Sequence, residues 1–230
     1  MQVAIQSRGL LAGLDESALK ARVQTPPYQK LWDDMARAWR LVAERSARAD
    51  GNYGYGALAW YSISPLAIEA ALLHRWRGDA VALDYVRGRA EHLVRMAEDP
   101  SLAARAPGKA YPVHSNWELA LAADLCRAAL DGPVLDRLMR LFRTRAIDFH
   151  NGTRSILYYG AGANIPLCQA VTAGIVALVW GQDCAHPEWE RVVDLARDAC
   201  IENLRYGFDQ NGYPYEGTGY GHTTLFHIYL

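Results

Sequence analysis

Two kinds of helical segment alternate along this chain, and that alternation limits its fold more than any other feature. Segments 27–49, 79–98, 133–150 and 187–205 are amphipathic. In the first, Leu31, Met35, Ala38, Trp39 and Val42 form one apolar stripe, with Asp33, Asp34, Arg37, Arg40 and Glu44 elsewhere on the helix. Leu138, Leu141, Phe142 and Phe149 form the stripe of the third, and Val192, Val193, Ala196 and Cys200 that of the fourth. Between them lie segments that are apolar nearly all round: 57–73, 116–130 and 164–180. A helix with no polar face has to be surrounded by other helices. The sequence therefore predicts an all-α fold of antiparallel helical hairpins, with apolar helices inside and amphipathic helices outside. This is an (α/α) toroid in a single domain over 1–230. The closing TTLFHIYL lacks stop signals and reads as an inner helix cut short, so an incomplete ring of about four hairpins is expected. Such a ring exposes inner-helix surface, which predicts association or poor solubility.

The connections differ by direction. Apolar helices lead into amphipathic ones through short turns at Arg77-Gly78-Asp79, Asp131-Gly132 and 181–186, whereas the returns at 50–56, 99–115, 151–163 and 206–216 are long. In a toroid those long returns share one end, above the N-termini of the inner helices. They are dense in Gly, Tyr, Asn and His, as in GNYGYG, PGKAYPVHSNW, NGTRSILYYGAGAN and YGFDQNGYPYEGTGY. Long loops of that composition on a rigid scaffold are a candidate functional face, and helix N-termini beneath them favour anionic ligands.

Composition narrows the partners. The 230 residues are 51% hydrophobic with a formal net charge of -1, which lacks the basic excess of a nucleic-acid binder. Any attraction to a polyanion has to be local. Cys126, Cys168, Cys184 and Cys200 are scattered without metal-like spacing and read as free, buried thiols. No apolar stretch is long enough for a membrane span, and the first residues lack the pattern of a signal peptide. No GxGxxG after a strand, P-loop or HExxH is present, so neither a cofactor nor a metal is assigned.

The segment Asn211-Gly212-Tyr213-Pro214-Tyr215-Glu216-Gly217-Thr218-Gly219-Tyr220 resembles the signature of heparinase II/III-type and related alginate lyases. The resemblance implies that Tyr220 is the catalytic acid. Upstream, Gly160-Ala161-Gly162-Ala163-Asn164 opens an apolar helix where the family places an asparagine, 56 residues before Tyr220. His114-Ser115-Asn116-Trp117-Glu118 resembles the Asn-Trp element of chondroitin AC and hyaluronate lyases, in which the tryptophan is a sugar platform. Together these matches cover roughly residues 110–230. Ile165 stands where heparinase-type enzymes commonly carry a histidine, so the resemblance leaves the base for one substrate epimer unassigned. It also implies missing hairpins and a β-sandwich beyond Leu230, and a periplasmic or secreted parent protein. Without such export the chain is cytoplasmic.

The chemistry implied is β-elimination on a uronate-containing polysaccharide. The C5 proton leaves, the O4-linked sugar is expelled, and charge builds into the uronate carboxylate. An amide such as Asn164 at a helix N-terminus can offset that charge. A tyrosine can act as acid toward the leaving oxygen, and as base if a cation lowers its pKa. His222 and Arg154 both qualify as that cation. His114, Asn116, Trp117, Tyr159, Glu216, His222 and Arg154 are the candidate substrate contacts. Asn164 also fits a plain N-cap, Trp117 a core residue and Glu216 a loop anchor. His74, His92, His150 and His186 read as helix-end or surface residues. Two other functions fit the scaffold: an inverting glycoside hydrolase, with Glu216 and Asp209 as its candidate carboxylates, and a non-catalytic glycan-binding protein.

Overall fold

A computed structural model describes residues 11, 14–48, 66–98, 117–130, 132–147, 164–213 and 215. Among these the chain is all-α, with eight α-helices and no strand. In chain order they are α1 (Glu16–Arg22), α2 (Tyr28–Arg48), α3 (Ala67–Arg77), α4 (Ala80–Glu98), α5 (Trp117–Leu125), α6 (Gly132–Leu141), α7 (Asn164–Trp180) and α8 (Trp189–Tyr206). A 3₁₀ turn, Arg127–Ala129, comes after α5, and α6 widens into a π-helical segment, Phe142–Ile147. The backbone clusters into two compact units, residues 8–112 with 118–138, and residues 1–7 with 113–117 and 139–230.

In the first unit, α3 and α4 form a hairpin through the short turn expected at Gly78. That glycine is left-handed (φ 69°) and its N–H donates to His74 O at 2.8 Å. The Asp79 carboxylate then caps α4 by accepting from Ala82 N at 3.0 Å. Ala67, Ala70 and Ala71 are all buried, and their small side chains let α3 lie close to its neighbours. Trp39 of α2, 1% exposed, meets Tyr85 of α4 edge to face at 6.2 Å, and Trp32 packs on Trp76 of α3 at 5.2 Å.

These contacts correct the expected face of α2. Among its described side chains, Trp32, Ala36 and Trp39 are buried and Met35 half-buried, whereas Leu31 is 64% exposed and Ala38 also faces solvent. Both stripes satisfy helical spacing. The observed one wins because it buries two indoles instead of one. The Val42 side chain lies outside the described residues.

Helix α1 precedes the first helix expected from sequence. Its N-cap is Asp15, whose Oδ1 accepts from Ala18 N at 2.9 Å, and none of its side chains is buried.

In the second unit, α7 runs over 164–180 as expected and pairs with α8. Helix α7 has almost no polar face, as expected, and the same holds for nine-residue α5, which apart from Trp117 belongs to the first unit. Leu178, 41% exposed, is the large apolar residue of α7 left facing outward. Leu138, Leu141 and Phe142 are buried as expected, but the helix over 133–150 changes to π geometry at Phe142. Phe142 packs on Trp180 at 5.9 Å, and Arg143 Nη1 donates to Cys184 O at 3.2 Å. His186 is buried, not on the surface; its Nδ1 accepts from Glu188 N at 3.1 Å, so the ring is part of the turn into α8. Cys126 and Cys184 are buried thiols and Cys200 a half-buried one, and the Cys168 side chain lies outside the described residues.

Candidate functional site

The α7–α8 hairpin sets where the start of α7 lies along the axis relative to the end of α8. A Cβ added to Gly174 of α7 would overlap the Ala196 side chain of α8, and one added to Gly181 would meet Trp189 Cβ at 2.6 Å. The second contact lies seven residues further along α7 and seven residues earlier along α8 than the first. The helices are therefore antiparallel and in constant register. Ten residues in the opposite direction, about 15 Å of helix, α7 begins at Asn164 and α8 ends at Tyr206. The backbone of Asn164 is thus level with the point where the chain leaves α8 for the 207–220 segment. The Asn164 side chain lies outside the described residues.

The chain leaves α8 through a tight, internally bonded turn. Gly207 N donates to Asn203 O at 2.7 Å, Asp209 N to Tyr213 O at 2.8 Å, Gly212 N to Asp209 O at 3.0 Å and Tyr215 N to Gly207 O at 2.9 Å. Gly212 takes φ 81°, a conformation that favours glycine. The Asp209 carboxylate organises the turn by accepting from Asn211 N and Tyr213 N, both at 2.8 Å. Because Tyr215 bonds back to Gly207, the chain returns to the end of α8 immediately before Glu216. Asp209 has a structural task here, which removes support from its use as a hydrolase carboxylate.

Trp117 is the first residue of α5 and is 6% exposed, which is the core-packing alternative and not an open sugar platform. His114, Asn116, Arg154, Tyr159, Glu216, Tyr220 and His222 lie outside the described residues.

Sequence reasoning passed over a second group in the first unit. Burial, and then the nearby Glu69 carboxylate of α3, push the Glu118 carboxyl of α5 up to about 7. Burial together with Glu118 and Glu69 also pushes up the Tyr85 phenol of α4. One turn further along α4, Arg89 is buried and stacks over the Tyr85 ring at 5.4 Å. Burial alone brings its guanidinium down to about 9. Another turn on, burial, with Arg89 and Arg95 next in weight, lowers the His92 imidazole. The available signal was a charged residue inside the apolar run Trp117-Glu118-Leu119-Ala120-Leu121. Glu118 is therefore partly protonated near neutrality.

Among the described residues no group of three or more His, Cys, Asp or Glu side chains could hold a metal ion, and no helix is long and apolar enough to cross a membrane. Comparison with family models, curated proteins and solved structures finds no match for this chain.

Proposed function

We propose that this chain forms an (α/α) toroid that cleaves a uronate-containing polysaccharide by β-elimination. The observation that carries the reading is the register of α7 against α8. It puts the start of α7, at Asn164, level with the end of α8, from which the Glu216–Tyr220 motif departs. Tyr220 lies five steps along the chain from Tyr215, a reach of at most about 18 Å, which allows the acid to come near Asn164 in this reading. In this reading the Asn164 amide, at the positive end of a 17-residue helix, offsets charge building on the uronate carboxylate. Tyr220 delivers a proton to the departing O4 oxygen. Arg154, Tyr159, Glu216 and His222 contribute substrate contacts from the loops on either side, with His114 and Asn116 at a further subsite. No cofactor takes part, and the ligand is an acidic oligosaccharide or polysaccharide.

The test is incubation of the protein with heparan sulfate, alginate, chondroitin and hyaluronan while monitoring ultraviolet absorbance. β-Elimination leaves an absorbing unsaturated uronate end on one of them. New reducing ends without that absorbance would identify hydrolysis instead, and binding without any product would identify a non-catalytic glycan receptor.

A further inference from the structure

We infer that Arg75 and Trp76, at the C-terminal end of α3, form a carboxylate-binding site that Glu16 of α1 fills in cis, and that its external ligand is a sugar acid. The inference is independent of the lyase reading, since it concerns other residues and requires no turnover. The Glu16 carboxylate accepts from three donors: Arg75 Nε at 2.5 Å, Arg75 Nη2 at 2.8 Å and Trp76 Nε1 at 2.8 Å. A guanidinium edge plus an indole N–H is a complete receptor for one planar carboxylate. The fork is also oriented independently of Glu16, because Arg75 Nη1 donates to Leu125 O at the end of α5 at 3.0 Å. If Glu16 left, that bond would still hold the guanidinium in place.

The occupant is weakly attached otherwise. Helix α1 has seven residues and buries no side chain, so little burial opposes its departure once the Glu16 clamp opens. Beside the clamp an open groove of about 480 Å³ is lined by Leu11, Glu16, Arg75, Asp124, Leu125 and Arg127, among others. Its polar groups suit a hydroxylated ligand body. Asp124, almost fully buried, accepts from Arg127 Nη2 at 3.0 Å and keeps that second cation at the groove edge. An external carboxylate has to displace Glu16, which is present at an effective concentration in the millimolar range. The site in the native chain is therefore closed to weak ligands, and removing Glu16 opens it.

The experiment tracks the Trp76 indole N–H signal by NMR, assigned with Trp76→Phe, during titration with D-glucuronate, acetate and glucose. Glu16→Ala and, as an isosteric second variant, Glu16→Gln are compared with the native chain. Saturable glucuronate shifts at least about tenfold tighter in both variants than in the native chain, lost in Glu16→Ala/Arg75→Ala and absent with glucose, are expected. Glucuronate is expected to bind more tightly than acetate. Equal affinities would overturn the sugar-acid assignment, and no saturable shift in folded Glu16→Gln would overturn the site.

Discussion

Gly174 of α7 and Ala196 of α8 touch so closely that no side chain fits on the glycine without displacing the alanine. This crossing sets the register that brings Asn164 level with the end of α8. Gly174→Ala gains helix propensity of up to about 1 kcal/mol but overpacks the crossing by about 1–3 kcal/mol, so net destabilisation is expected. Adding Ala196→Gly should recover part of the loss, as it vacates the space that the new methyl needs. Urea denaturation of the single and double variants measures this, and purely additive losses would count against the contact.

Glu118 makes stability depend on pH. Its folded carboxyl titrates at about 7, against 4.5 for the ordinary group, because burial and then Glu69 disfavour the charged form. The raised value means that its contribution is full below pH 4.5 and lost as pH rises through 7. Glu118→Gln should therefore flatten the fall in stability between those limits, a difference of at most roughly 3 kcal/mol. Denaturation midpoints at pH 5 and 8, compared between the two proteins, report it.

Glu16 has the opposite sign. The hydrogen bond from Arg75, then that from Trp76 and the Arg75 charge, hold its carboxyl down to about 2. The clamp is intact above pH 4.5 and weakens as pH falls toward 2. Partial exposure limits its worth to about 1 kcal/mol. Protection factors of the α1 amides, referred to the intrinsic exchange rate at each pH, should therefore fall on acidification ahead of those of α3 and α4, and also at high salt. Protection factors unaffected by either change would contradict an electrostatic clamp.

Burial pushes the Cys126 thiol up to about 11 and also raises that of Cys200. Cys126, which is buried, should resist a thiol reagent at neutral pH until the protein unfolds, while half-buried Cys200 reacts sooner. Mass mapping of the labelled peptides separates the two.

Helix identity is well encoded in the sequence where the apolar pattern is unambiguous. Asn164–Trp180 forms over the expected span because seventeen nearly continuous apolar residues have no alternative face to choose. The Gly78 turn is legible from a glycine and an N-capping aspartate in succession. The face of α2 is not, because Leu31 and Trp32 begin equally periodic stripes, and only the packing of Trp32 on Trp76 and Trp39 on Tyr85 decides between them. Helix α1 escapes sequence reading because it is short and buries nothing, so its main mark is the Asp15 cap. Neither the Glu16–Arg75 clamp, fifty-nine residues apart, nor the pairing of Glu69 with Glu118 has a local pattern. Of the expected site, Asn164 opens its helix as foreseen, and Trp117 is buried instead of presented.

The most direct test of the proposed chemistry is the initial rate of unsaturated-product formation in Asn164→Ala, Tyr220→Phe and the double variant, on whichever glycan the native protein cleaves. Loss of the charge-offsetting amide should lower turnover by about 10²–10³-fold, and loss of the acid by about 10²–10⁴-fold. The double variant should fall by less than the product of the two, because both groups act on one transition state. Undiminished turnover in a folded Tyr220→Phe protein, or strictly multiplicative losses, would contradict a shared rim at the start of α7.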